Sequence, residues 1–321
     1  MLILNEHEVV ELLDMPGCMA AMEQALVSLA RGEFHLPLRP VVRPPGERHL
    51  LGLMPTYRSG ERPLYARKTV AIFPDNPSRG LDPHQGTVTL YDGTTGQVLA
   101  VMNASPITAI RTAAVSGLAT RALAREDARV LAIVGAGHQA RPHVAAMLEA
   151  RRFEEIRISA RTRESAERLA AEWPAARAVA GNEEAVRGAH VICTVTQSAE
   201  PVLRADWLAP GAHVNAVGAC FPHTRELDTE TVVRSSFFTD RRESCENEAG
   251  DYVIPLREGA ISNGHIKAEL GEVLAGIARG RTADDELTVF ESLGLAVEDL
   301  AAAEYLLRRA EDTGKGTTVE F

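Results

Sequence analysis

Read as apolar and polar positions, the chain has two rhythms. It opens on MLILNEHEVVELLDM, a short apolar run passing into helical spacing, which predicts a strand followed by a helix. Residues 64–73, LYARKTVAIF, alternate as a strand with one buried face should. Residues 86–102, GTVTLYDGTTGQVLAVM, are two β-rich runs around DGTTG and predict a hairpin. Ser105-Pro106 offers a cap followed by proline at the first helical position, so a helix is expected from about 106 to 124. After the charged link Arg125-Glu126-Asp127 the rhythm changes. Short β runs at 128–134, 155–160, 190–195, 213–218 and 236–240 alternate with helical stretches such as QARPHVAAMLEA. That alternation predicts a mainly parallel sheet covered on both faces, hence an α/β fold class. The last helix is expected over 296–312, packed back on the first domain and leaving a polar tail from Gly314 to Phe321.

One segment carries specific chemistry. VGAGHQA at 134–140 follows an apolar strand and opens a helix, in the pattern G-x-G-x-x-A. Gly135 allows the tight turn, Gly137 lets the backbone approach a pyrophosphate, and Ala140 keeps helix and strand close. Within a strand–turn–helix–strand unit of ~30 residues the motif reads as a dinucleotide site, with Gln139 in the same turn. NAD enzymes place an acid ~20 residues further on. Here the second strand ends Ser159-Ala160-Arg161-Thr162-Arg163, with no acid before Glu164. A cation at Arg161, beside Thr162, favours the 2′-phosphate, so NADP(H) is expected over NAD(H); the bland alternative is a solvated arginine at a strand end.

Two cations stand where apolar residues are expected. Lys68 shares a strand face with Leu64, Ala66, Val70 and Ile72, and Arg111 lies in the helical stripe of Ile107, Ala114 and Leu118. A buried charge costs several kcal/mol unless it meets a partner. That partner is either an internal carboxylate or the carboxylate of a substrate. Arg39, within LPLRPVV, is a third candidate.

Composition narrows the field. The 321 residues suggest two domains at ~100–200 residues each. They are 45% hydrophobic and 24% charged, an ordinary globular balance. A net charge of −10 argues against nucleic acid or an anionic membrane as partner. No signal-like leader is read at the start, and no apolar run approaches the ~18–20 residues that span a bilayer. Cys18, Cys193, Cys220 and Cys245 are scattered without a C-x-x-C, so a reduced cytoplasm and no metal are expected.

Taken together, GLMPTY (52–57), ARKTVAIF (66–73), ITAIRTAAVSGLAT (107–120), VGAGHQA, HVNAVGACFPHTRELD (213–228), AELGEVLAG (268–276) and TVFESLGLAVED (288–299) resemble the ornithine cyclodeaminase/mu-crystallin family. The resemblance implies a Rossmann dinucleotide-binding domain over 119–298. It also implies an α+β domain, from 1–118 and 299–321, that binds substrate and forms a homodimer. On the positions that match, Arg39, Lys68 and Arg111 correspond to cations facing the substrate carboxylate and the cofactor. His84, with Gln85, corresponds to a pair near the cofactor. Thr196, Val217, Ser292 and Leu293 correspond to the nicotinamide side of the cleft, and Glu269 to a carboxylate near the substrate.

One departure is informative. Cyclodeaminases of the family resemble G-G-D-C-P-G-K-T-E-L where this chain reads GACFPHTREL, so Cys220 occupies the place of an aspartate that serves deamination. The motif's lysine is replaced by Thr224 or Arg225. A cysteine titrates near ~8.5 and is no carboxylate, so Cys220 is either a small filler or a thiol with a role in the site. The resemblance then implies reduction of a cyclic imino acid of the Δ1-pyrroline-2-carboxylate or Δ1-piperideine-2-carboxylate type, or a related amino-acid dehydrogenase. Glu269 or a water on it is the candidate to hold the protonated imine. Two other classes stay open: a lyase such as ornithine cyclodeaminase, and a non-enzymatic binder of the cofactor and a small molecule.

Overall fold

The two rhythms of the chain become two sheets, each in its own unit. The structure, a computed structural model, describes residues 1–320, so the last residue of the expected tail, Phe321, lies outside the described residues. One unit joins Met1–Arg111 to the chain from Leu295 onward; the other is Thr112–Gly294. These borders fall a few residues before the expected 118/119 and 298/299. The reason is visible in the side chains, because Arg111 pairs with Glu298 and Asp299 and all three belong to the first unit.

In the first unit the chain forms β1 (Leu2–Leu4), α1 (Glu6–Leu12), α2 (Met15–Ala30), β2 (Phe34–His35), β3 (Val41–Val42), β4 (Leu50–Arg58), β5 (Leu64–Ile72), β6 (His84–Asp92) and β7 (Val98–Asn103). Then comes α3 (Ala104–Leu123), whose second half belongs to the other unit. Its start is earlier than expected. Asn103 Oδ1 accepts the Ser105 N–H at 2.9 Å, while the Ser105 hydroxyl is spent on Asp82 Oδ2 at 2.5 Å. The cap is therefore Asn103, not Ser105.

The second unit continues with β8 (Val130–Val134), α4 (Ala140–Ala150), β9 (Glu155–Ser159), α5 (Arg163–Ala170), β10 (Ala176–Ala178), α6 (Asn182–Val186), β11 (Val191–Thr194), β12 (His213–Ala216), α7 (Thr229–Arg234), β13 (Ser236–Thr239), α8 (Arg242–Glu248), α9 (Gly250–Arg257), β14 (Ile266–Glu269), α10 (Leu270–Leu274) and β15 (Thr288–Glu291). The first unit closes with α11 (Ala296–Thr313) and β16 (Thr317–Thr318). The expected polar tail thus contains a strand, antiparallel to β1.

The sheet of the first unit runs β16-β1-β7-β6-β5-β4-β2, with β3 also on β4. Helix α11 lies against β4, β5 and β6 and against α2. On β5 the alternation is obeyed: Leu64, Ala66 and Lys68 are buried while Tyr65 and Arg67 are exposed. The second sheet runs β10-β9-β8-β11-β12-β15-β13-β14, and all its pairings are parallel. Its central strands are buried on both faces, which is why β8 reads as an unbroken apolar run, while β12 buries His213 and Asn215 among its apolar residues. Strand order reverses between β8 and β11, the switch point where doubly wound sheets bind ligands beyond the carboxyl ends of their strands.

Candidate functional site

In the first unit, β5 and the start of α3 bring the two predicted cations together. Lys68 is 2% exposed and Arg111 3%. Lys68 Nζ donates to Asp299 Oδ1 at 3.0 Å and to Thr108 Oγ1 at 3.4 Å. Arg111 donates from Nε to Asp299 Oδ1 at 3.1 Å and from Nη1 to Glu298 Oε2 at 2.7 Å. Of the two partners left open by the sequence, internal carboxylates are therefore present. They do not make the place electrically quiet. Burial, then Arg111 and, least, Arg39 lower the Lys68 ammonium to about 8, against a rise from Asp299. Three cations, from the segment before β3, from β5 and from α3, thus act on one point. His84, half-buried at the start of β6, donates its backbone N–H to Asp82 Oδ1 at 2.7 Å; exposed Gln85 donates from Nε2 to Asp82 O at 3.0 Å.

In the second unit, β8 ends at Val134 and the glycine turn begins. Gly135 has φ 117° and a Cβ there would stand 2.9 Å from Val195 O, so both backbone and space demand glycine. Gly137 is exposed, with nothing within 4 Å of where its Cβ would be. Ala140 is fully buried and opens α4, Gln139 is the residue before it, and the Gln139 Oε1 is buried without a hydrogen-bond partner. The open cradle at Gly137 and the N-terminal end of α4 behind it fit a dinucleotide pyrophosphate. At the end of β9, Arg161 is exposed, and Thr162 caps α5 by accepting the Ser165 N–H at 3.3 Å. Thr196 follows β11, Val217 follows β12, and Ser292 and Leu293 follow β15, so all four stand at carboxyl ends of the parallel sheet. The Ser292 Oγ is buried without a partner, while the Leu293 N–H donates to Asp240 Oδ2 at 2.7 Å.

The comparisons with known proteins bear on both halves. The profile of the ornithine cyclodeaminase/mu-crystallin family matches residues 1–314. The chain belongs to that family. It is 41% identical over 287 residues to the ketimine reductase mu-crystallin of Mus musculus, covering 88% of each chain. It is similar to the structure of Thermococcus litoralis Δ1-pyrroline-2-carboxylate reductase in complex with NADH and L-proline, with a TM-score of 0.95, 36% identity, and coverage of 99% of this chain and 100% of that one. It is also similar to an archaeal alanine dehydrogenase dimer with bound NAD, with a TM-score of 0.94, 31% identity, and coverage of 100% and 99%.

Set among ornithine cyclodeaminase/mu-crystallin proteins, the remaining candidates separate. Cys220, where a cyclodeaminase-like motif carries aspartate, is half-buried with Sγ 3.3 Å from Val217 O and 4.0 Å from Ser292 O. It therefore stands with the strand-end set. Glu269 also stands at a carboxyl end, that of the edge strand β14, where Oε1 accepts the Arg242 N–H at 2.8 Å. Burial raises its carboxyl above the usual range. Three further carboxylates, Glu298, Asp299 and Glu226, are buried without a hydrophobic pattern in the sequence to mark them. The first two lie in the first turn of α11, where adjacent acids read as favourable to the helix dipole and nothing more. Glu226 lies in a turn with no periodicity to mark it as buried. Among the described residues, no group of three or more His, Cys, Asp or Glu could hold a metal ion, and no helix is long and apolar enough to cross a membrane.

Proposed function

We propose that this chain is an NAD(P)H-dependent reductase of a small cyclic imino acid, of the Δ1-pyrroline-2-carboxylate or Δ1-piperideine-2-carboxylate type. The observation that carries the reading is the pair of buried cations Lys68 and Arg111 gathered on Asp299, with Arg39 adding to their positive field, which suits a substrate carboxylate. The glycine turn after β8 and the names of the relatives support it. When bound in that turn, the dinucleotide supplies the hydride. The chain's own work is to hold the substrate. Lys68 and Arg111, braced by Asp299 and Glu298, fix the carboxylate and so orient the C=N carbon, where geometry contributes much of the rate. The carbon gains the hydride and the nitrogen keeps its proton. Run in reverse on an acyclic amino acid, hydride loss gives an imine that water opens with release of ammonia, which describes an amino-acid dehydrogenase. Cys220 in the aspartate's place argues against ring closure of ornithine.

Two finer points belong to this reading. Arg161 is proposed to take a 2′-phosphate and so favour NADPH, because no acid follows β9 before Glu164. The first-unit sheet is proposed to form a homodimer through its outer face. His35, Pro55, Tyr57, Tyr65, Arg67 and Tyr91 line a shallow cavity of about 470 Å³ there, and Tyr65 is 49% exposed.

The test follows oxidation of NADPH and then NADH with each imino acid. Stoichiometric loss of the reduced cofactor is expected, slowed about tenfold or more at low imino acid in Lys68→Ala and Arg111→Ala. No oxidation of either cofactor, with ornithine yielding proline and ammonia at catalytic NAD⁺, would overturn the reductase and make the chain a lyase.

A further inference from the structure

Behind the strand ends of the second unit lies a carboxylate that no part of the reading above uses. Glu226 is fully buried in the turn after β12, and five donors converge on it. Oε1 accepts the N–H and the hydroxyl of Thr196, each at 2.6 Å. Oε2 accepts the Thr194 hydroxyl at 2.8 Å, the Gly218 N–H at 2.7 Å and the Val217 N–H at 3.3 Å. One oxygen thus holds the segment leaving β11, and the other reaches the segment leaving β12. The fit is tight enough to dictate sequence: a Cβ on Gly218 would stand 1.8 Å from Thr196 O and 2.8 Å from Glu226 Cδ. The same segment touches the glycine turn, since the Gly135 Cβ position lies 2.9 Å from Val195 O and 3.2 Å from Thr196 Cγ2. The backbone of Glu226 is itself fixed, because Asp251 Oδ1 accepts the N–H of Glu226 at 2.9 Å and of Leu227 at 2.8 Å.

We propose that Glu226 is the positioning residue of the dinucleotide site, its ionised carboxylate holding the ends of β11 and β12 in the arrangement that receives the cofactor. This rests on the dinucleotide reading of the turn. Donors surround both oxygens, so the arrangement is built for the anion. A threonine hydroxyl can turn to accept a proton on Glu226, but the backbone N–H of Thr196 or of Gly218 then loses a carboxylate acceptor, which slackens one strand end. Burial raises the carboxyl above the usual range, while the Thr196, Gly218 and Thr194 hydrogen bonds oppose that rise. The groups that act on it electrostatically are Asp251 from α9, Glu291 from β15 and Cys193 from β11. Acidification should therefore loosen cofactor binding at a pH above that of an ordinary glutamate.

The experiment titrates the full chain with NADH and with NADPH from acid to neutral pH, alongside a melting curve without ligand. In Glu226→Gln, an amide N–H₂ faces donors at one strand end. The expected result is binding about tenfold weaker, the value of one lost hydrogen bond to a charged group, and the loss of the acid step. Binding equal to wild type at every pH would overturn the proposal, and so would a lower melting temperature with unchanged affinity and an unchanged acid step. Failure of the wild-type chain to bind either nucleotide would instead sink the dinucleotide reading, and this inference with it. Should Glu226→Gln not fold, Thr194→Val keeps the shape and removes one donor. The acid step should then move to higher pH, and a step that stays in place would refute the role.

Discussion

Lys68 is a buried charge that bears on stability and, on the proposed function, on substrate capture. Its ammonium lies in an interior where burial alone would expel it, and Asp299, shared with Arg111, keeps it there. The unfolded chain holds the Lys68 proton up to the ordinary 10.5, the folded chain only to about 8. Between those values the unfolded state binds more protons, so this group's contribution to stability increases as pH rises and its penalty is complete below about 8. Substrate capture runs the other way. Above about 8 the anchor loses its charge, so KM for the imino acid should climb with pH while kcat changes less. Lys68→Met should raise KM about tenfold or more at neutral pH, since a hydrogen bond to a charged group is lost. A KM that is flat through this range in the wild type would remove Lys68 from the anchor. Glu269 makes the contrast. With Oε1 committed to the Arg242 N–H, Glu269→Ala should lower the melting temperature through the start of α8, whereas Glu269→Gln, which keeps an acceptor oxygen, should leave both melting temperature and kcat close to the wild type. A large fall in kcat at unchanged melting temperature would restore it as the proton carrier.

At the scale of elements, the β8–α4 turn separates folding from binding at two glycines. Gly135 is required by the free protein itself, being at positive φ against Val195 O. Gly137 has open space around it, so its lack of a side chain matters only once something approaches. Gly135→Ala should therefore lower both the melting temperature and nucleotide affinity, whereas Gly137→Ala should keep the melting temperature and lose affinity. A Gly137→Ala chain that binds NADH normally would mean that the cofactor does not lie over this turn. This turn was legible because its glycines, flanking strand and helix fall within one short stretch. Other elements were not. β4 contains Gly52 and Pro55, which speak against a strand. Pro55 is tolerated because β3 pairs with β4 at Leu51 and Gly52 and β2 at Tyr57 and Arg58, leaving the position between them without a second neighbour. β14 and β15 have four residues each, too few to show a period, and are held by parallel neighbours far away in sequence. The same distance hid the partners of Lys68 and Arg111: the cations were visible as breaks in a pattern, but Asp299 is 231 residues from Lys68.

At the scale of the whole molecule, an exposed aromatic sheet face favours association in solution. The first-unit sheet packs α11 against one face, and its other face presents Tyr57 and Tyr65, with ring centroids 4.6 Å apart, together with Tyr91 and Arg67. Tyrosine and arginine are enriched in protein interfaces, where each combines apolar area with a polar tip. The net charge of −10 opposes association over most surfaces, so self-pairing needs a patch depleted in acids, and no acid lines this cavity. A stable pair buries about 1,600 Å² in total, and a central charge within such an area is costly when its twofold mate faces it. Tyr65→Glu should therefore convert a dimer to a monomer in light scattering, while nucleotide binding, built in the other unit, stays within a small factor of the wild type. A wild-type chain that is monomeric at micromolar concentration would dismiss the dimer without touching the reductase. A Tyr65→Glu chain still dimeric would move the interface to another surface. Loss of the dimer together with loss of NADH binding would mean that the substitution acts beyond the sheet face it sits on.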